Sequence, residues 1–172
     1  EYYLLFMNKF LCFLAVFFII ISCSKSDKKN IPYNDSTDYL ALNYFIKDSL
    51  PKLNNLNKDY INIFNKWKDI EIIIGSSKII SSDSKQLSFL LDNLKIEIKK
   101  INDKSFDAIF NVPQIIGRFR VHKTNVLKIN SNKIDSKNIQ NFKNDLKGIV
   151  ISYNALINMI NKIAKESFEK NN

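Results

Sequence analysis

The chain has 172 residues and a formal net charge of +9, from 26 basic and 17 acidic side chains, with only one histidine and three glycines. Gly75, Gly117 and Gly148 are too scattered for a phosphate-cradling loop, and there is no Glu-x-x-His pair of the kind that holds two metals inside a bundle. A basic balance suits an anionic partner. However, lysine, asparagine and isoleucine dominate the whole chain, as AT-rich codons would produce, so net charge by itself assigns no function.

In chain order, the first organised stretch is Met7 to Cys23. Lys9 supplies a charged start, Phe10 to Ile21 an apolar core, and Ser22 a small residue ahead of Cys23, which is the order of an export signal. The apolar run, about a dozen residues, falls short of the roughly 20 that a spanning helix requires. Its ending, Ile20-Ile21-Ser22-Cys23, resembles the lipobox of bacterial lipoproteins. That resemblance implies a signal peptide over residues 7–22 cut before Cys23, a diacylglycerol on the Cys23 thiol, and acylation of the new amino group by a fatty acid such as palmitate. Acyl chains partition into a bilayer at about 0.8 kcal/mol per buried CH₂, so two or three chains anchor where one does not. The competing readings are an ordinary signal with a chance cysteine, and a longer apolar segment from Tyr2 to Ile21, which Asn8 and Lys9 interrupt. Glu1 to Phe6 precede Met7 and read as an upstream extension. With Cys12 leaving in the signal and Cys23 lipidated, neither thiol serves a disulfide or a metal site within one mature chain.

Residues 23–35 are polar and charged, contain Pro32 and show no periodicity, so they read as a flexible lipidated tether. Ser24 stands where lipoproteins retained at the inner membrane carry Asp, which favours the bacterial outer membrane. Surface display in some bacteria follows an acidic cluster after the cysteine. Here only Asp27 stands among Lys25, Lys28 and Lys29, so the periplasmic face is expected first and the cell surface second.

From Ser36 to the end the apolar spacing is helical, and about 150 residues after the signal are enough for one domain with a real core. Tyr39, Leu42, Ile46, Ser49, Leu53, Leu56, Tyr60, Ile63, Trp67, Ile70 and Ile74 alternate steps of three and four, predicting one first helix kinked at Pro51 and ended by Gly75. Asp83 and Gln86 resemble a capping box for a second helix with seam Leu87, Leu91, Leu94, Ile98, Ile101, Ser105 and Ala108. Pro113 opens a third and shortest helix, with seam Ile115, Phe119, His122, Val126 and Ile129. Asp135 or Ser136 caps the fourth, whose seam Ile139, Phe142, Leu146, Ile149, Tyr153, Leu156, Ile160, Ile163 and Ser167 is the most regular. Short connections imply antiparallel neighbours, so the expected fold is all-α, an up-down-up-down four-helix bundle over residues 36–172. β-branched Ile70 to Ile74 and Ile79-Ile80 would suit strands, but they lack partners, and helix is preferred.

Few residues suit catalysis, and no catalytic residue, cofactor or metal site is assigned. His122, the single histidine, lies on an apolar seam, where a core histidine bonded to a neighbour such as Tyr153 or Ser105 is expected over a ligand or catalytic role. Arginine occurs only at Arg118 and Arg120, every other basic residue being lysine, and a guanidinium makes planar multidentate contacts that an ammonium cannot. From Ala108 to Ile134 there is no acid, while Arg118, Arg120, Lys123, Lys128 and Lys133 fall inside, making Arg118, Arg120, Lys123 and Lys128 the candidate anion or partner surface. The alternative for the arginines is a salt bridge to Asp92, Glu97, Asp103 or Asp145. Gly117 within a helix suggests a close crossing or a ligand near the backbone, and Asn154, Asn158 and Asn161 suggest a polar face. Tyr60, Phe64, Trp67, Phe119, Phe142 and Tyr153 at helical spacing read as core.

The expected protein is a lipid-anchored helical envelope protein acting as a binding, adaptor or structural module. It holds the membrane through its N-terminal lipid and meets an acidic protein, glycan or lipid head group. The alternative is an envelope enzyme or enzyme-inhibitor lipoprotein with a site near His122, Arg118 and Arg120. Export and the lack of a binding motif argue against nucleic acid.

Overall fold

The structure, a computed structural model, describes residues 36–171 except 81, 83, 103, 105, 132, 133, 135 and 136. The signal, Cys23 and the tether lie outside the described residues, as do the expected caps Asp83, Asp135 and Ser136, the seam residue Ser105, and Asp103 and Lys133. The chain is all-α. Its helices among the described residues are α1 Ser36–Asp48, α2 Ile61–Phe64, α3 Ile70–Ile80, α4 Ser84–Lys100, α5 Pro113–Lys128 and α6 Ile139–Asn171, with a 3₁₀ turn at Lys58–Tyr60.

The centre of the fold is the α5–α6 pair. Val112, extended at φ −119° and ψ 146°, precedes Pro113 at the first helical position, as the steric preference of a pre-proline residue requires. All five seam residues expected on and just after α5, Ile115, Phe119, His122, Val126 and Ile129, are buried. On α6, Phe142, Leu146, Ile149, Tyr153, Leu156 and Ile160 are buried as spaced, and Val150, Ile157 and Ala164 widen the stripe. The two helices run antiparallel. Lys128 pairs with Asp145 at 2.9 Å, Asn125 Nδ2 donates to the Gly148 carbonyl at 3.2 Å, and His122 meets Ser152 at 3.2 Å. An aromatic cluster closes one region of the core. Trp67 lies 4.6 Å from Phe106 and 5.0 Å from Phe110, and Phe106 meets Phe119 edge-on at 5.1 Å between ring centroids.

Three expected boundaries are corrected. The first helix does not continue through Pro51: α1 ends at Asp48, its last turn closed by the Ser49 and Leu50 amides on the Phe45 carbonyl, and residues 51–57 form no regular element. The expected first helix is therefore three separate helices, α1, the single turn α2 and α3, with a strap and the 3₁₀ turn between α1 and α2. Gly75 does not end a helix, and α3 runs through it. No glycine among the described residues has positive φ, and Ser77 Oγ donates back to the Ile74 carbonyl at 2.7 Å, which keeps that serine inside the helix. The second helix stops at Lys100 rather than near Ala108. Asn102 Oδ1 accepts the Lys104 amide at 3.0 Å, and Asp107 Oδ1 accepts the Ile109 amide at 3.0 Å, so these side chains hold turns that compete with the helix. The third expected helix is also not the shortest, since α5 spans 16 residues and α2 only 4. Ile70, Ile73 and Ile79 are helical and buried, as the preference for helix over strand requires.

Candidate functional sites

His122 is fully enclosed, at 0% exposure. Its Nε2 lies 3.0 Å from Ser76 Oγ of α3, and its Nδ1 lies 3.2 Å from Ser152 Oγ of α6. The Ser152 hydroxyl donates its only proton to the Ile149 carbonyl at 3.0 Å, so toward His122 it accepts. The imidazole therefore carries its proton on Nδ1, and the Ser76 hydroxyl donates to the Nε2 lone pair. Burial disfavours the charged ring and lowers its pKa from 6.5 to about 4, against a smaller opposing effect of the Ile149 carbonyl. Tyr153 packs against the imidazole at 5.9 Å between ring centroids, and its hydroxyl bonds Ser77. Burial raises the Tyr153 pKa, and the Ser77 bond offsets part of that rise. A serine hydroxyl donating to a histidine lone pair is the first step of nucleophile activation. Here Ser76 is itself 1% exposed, so the pair reaches no solvent in this conformation. The partners are Ser76 and Ser152. Tyr153 contributes a ring contact, and Ser105 is outside the described residues.

The basic residues separate. Arg118 turns back on its own helix, Nη1 donating to the Gln114 carbonyl at 2.9 Å. Lys128 pairs with Asp145 across α5 and α6. Lys123 reaches the end of α4, donating to the carbonyls of Lys99 at 3.3 Å and Ile101 at 2.9 Å, so it neutralises the negative end of that helix. Asp92 and Glu97 are taken by Lys95 at 3.3 Å and Lys100 at 2.6 Å. Arg120 and Lys123 come together with Lys99 and Lys100, two cations missed by sequence reasoning, around an open cavity of about 460 Å³ that also involves Phe119 and Ile101. No acid lines it among the described residues. Lys99 and Lys100 end an ordinary amphipathic helix, and nothing in their spacing points to α5. Gly117 faces open space, so no close helix crossing accounts for it. Among the described residues no three metal-ligating side chains converge.

The asparagines of α6 do more than face solvent. Asn154 Nδ2 donates to the Lys52 carbonyl at 2.8 Å while its Oδ1 accepts the Asn54 amide at 2.8 Å. Asn161 repeats the arrangement on the Asn55 carbonyl and the Asn57 amide, both at 2.9 Å. Between them Asn158 Oδ1 accepts from Asn54 Nδ2 at 2.8 Å.

These features define, over the described residues, an all-helical domain with an enclosed polar core and a cationic surface cavity. Compared with protein-family models, curated proteins and solved structures, the chain matches none.

Proposed function

We propose that this chain is a lipid-anchored binding module of a bacterial envelope, held to the outer membrane by acyl groups on Cys23, with its periplasmic or surface-facing domain meeting an anionic partner. The observation that carries the partner class is the gathering of Lys99, Arg120 and Lys123, with Lys100 ion-paired to Glu97 beside them, around an open cavity that no acid lines among the described residues. Cations gathered around a concave, partly apolar wall focus positive potential more strongly than the same charges spread over a flat face. The reading retains the up-down bundle as the scaffold, with its first helix split into α1, α2 and α3 and its last two helices antiparallel. The enclosure of His122 and Ser76 supports a binding role over a catalytic one, because a reacting group must reach within hydrogen-bond distance of its substrate.

Two measurements test this reading. Cys23→Ser is expected to release the protein from the membrane fraction and to abolish acylation detected by mass spectrometry. Retention of the variant on the membrane overturns the anchor. The unlipidated Cys23→Ser chain is expected to bind vesicles of anionic phospholipid with an affinity that falls steeply with salt and falls further in Arg120→Ala/Lys99→Ala. Salt-independent binding, or binding unchanged by the substitutions, overturns the cationic surface.

A further inference from the structure

Residues 43–63 contain no fully buried side chain, whereas Leu42 before them is 0% exposed and Phe64 after them 1%. A strap is thus pinned at two ends and held between them by half-buried side chains and hydrogen bonds to α6. Its central part, residues 50–57, repeats every three residues. Leu50, Leu53 and Leu56 are half-buried against the core, and the α6 clamps engage the carbonyl–amide pairs of Lys52/Asn54 and Asn55/Asn57. A period of three is that of polyproline II, and Asn57, at φ −72° and ψ 122°, sits close to that conformation. The two lattices match. Three polyproline II residues rise about 9.3 Å, and the seven helical residues from Asn154 to Asn161 rise about 10.5 Å. Past the strap, where Lys58–Tyr60 turn into the 3₁₀ helix, Tyr60 meets Phe168 with ring centroids 5.6 Å apart.

We propose that α6 carries a binding groove for an extended, polyproline II-type segment of a partner protein with an apolar residue at every third position, and that residues 50–57 are its resident occupant. Asn154 and Asn161 address main-chain groups alone, so what they recognise is an extended backbone, and the leucine positions supply the register. Such a two-point amide clamp serves an incoming segment of the same chemistry as well as it serves the strap. The hydrogen bonds from Asn158 and Asn161, and that from Asn154 to Lys52, are solvent-exposed, and exposed bonds exchange readily for water. Leu50, Leu53 and Leu56 are half-buried on the core and not within it, so lifting the strap uncovers core surface but withdraws no fully buried side chain. In the resting chain the strap competes at high effective concentration and keeps the groove closed.

The test uses the full chain and a fluorescent synthetic peptide of residues 50–58. In Leu53→Asp/Leu56→Asp, checked for retained helicity, the resident strap is weakened, and this chain is expected to bind the peptide at least tenfold more tightly than the unsubstituted chain. N-methylation of the peptide at the Asn54 and Asn57 amides is expected to reduce that affinity at least tenfold, and Asn154→Ala/Asn161→Ala in the protein to reduce it equally. Methylation at Asn55, whose peptide bond with Asn54 neither clamp engages, is the control and should leave affinity within about threefold. Failure of the folded Leu53→Asp/Leu56→Asp chain to bind overturns the proposal, as does binding indifferent to methylation of the clamped amides. A concentration-dependent dimer that the peptide does not dissociate overturns it too, assigning the groove to a second copy.

Discussion

Acidification should destabilise the fold through His122 before it protonates ordinary carboxylates. The ring is held neutral between Ser76 and Ser152, and its pKa falls from 6.5 to about 4 because burial penalises the charge. The unfolded chain therefore binds more protons than the folded one between those values, and stability rises with pH across that window. The contribution is fully present above pH 6.5, is lost progressively as pH falls toward 4, and changes no further below. At 1.36 kcal/mol per pKa unit the loss amounts to about 3 kcal/mol, a large share of the 5–15 kcal/mol typical of a domain. The described groups against the imidazole are two serine hydroxyls, the Tyr153 ring and the Ile149 carbonyl, and only the carbonyl favours the charged ring, by less than burial disfavours it. Protonation of Nε2 would also leave the Ser76 hydroxyl facing a donor, forcing its proton elsewhere. Urea denaturation of the unsubstituted chain and of His122→Gln, in steps from pH 7.5 to 4, measures the effect. The unsubstituted chain should lose midpoint concentration steadily below about pH 6.5, and the variant, less stable at neutral pH, should show a flatter profile. Equal slopes in the two proteins would refute a buried neutral histidine as the source.

Other expected outcomes are simpler. Gly117→Ala should stabilise by about 1 kcal/mol in thermal or urea melts, because the position is helical, faces open space and gains the propensity difference between the two residues. Gly75→Ala should act in the same direction. Phe110→Ala should cost about 3–5 kcal/mol, since the ring is fully buried and stacks 5.0 Å from Trp67 and 6.2 Å from Phe64. Lys123→Met keeps much of the apolar stem beside Phe119 but removes the donors to the α4 carbonyls, and should cost about 1 kcal/mol. Asn161→Ala should raise hydrogen–deuterium exchange across residues 50–60 while leaving α5 protected, because the clamp holds the strap and not the core.

The α5 seam and the stripe of α6 were legible in the sequence because those helices bury one continuous face against the core, and a period of 3.6 then appears directly as spacing. Pro113 likewise announced its boundary, since the constraint lies within the dipeptide. The stretch around Pro51 differs from the expected helix for a definite reason. Ser49, Leu53, Leu56 and Tyr60 step by four, three and four as on a helix face, while Leu50, Leu53 and Leu56 in the same stretch repeat every three as on a polyproline II strap. What separates them is where the backbone hydrogen bonds go, and here they go to asparagines about a hundred residues later in the chain.

The sequence by itself determined the helical class, the faces of the two central helices and the burial of His122, because each follows from local spacing. Tertiary structure decided the rest. It bonded His122 to Ser76 and Ser152, gathered Lys99 and Lys100 with Arg120 and Lys123, and turned Asn154 and Asn161 from a polar face into clamps on an extended strap. Each of these joins groups on different elements, and a pairing made across space leaves no periodicity in either partner's own sequence.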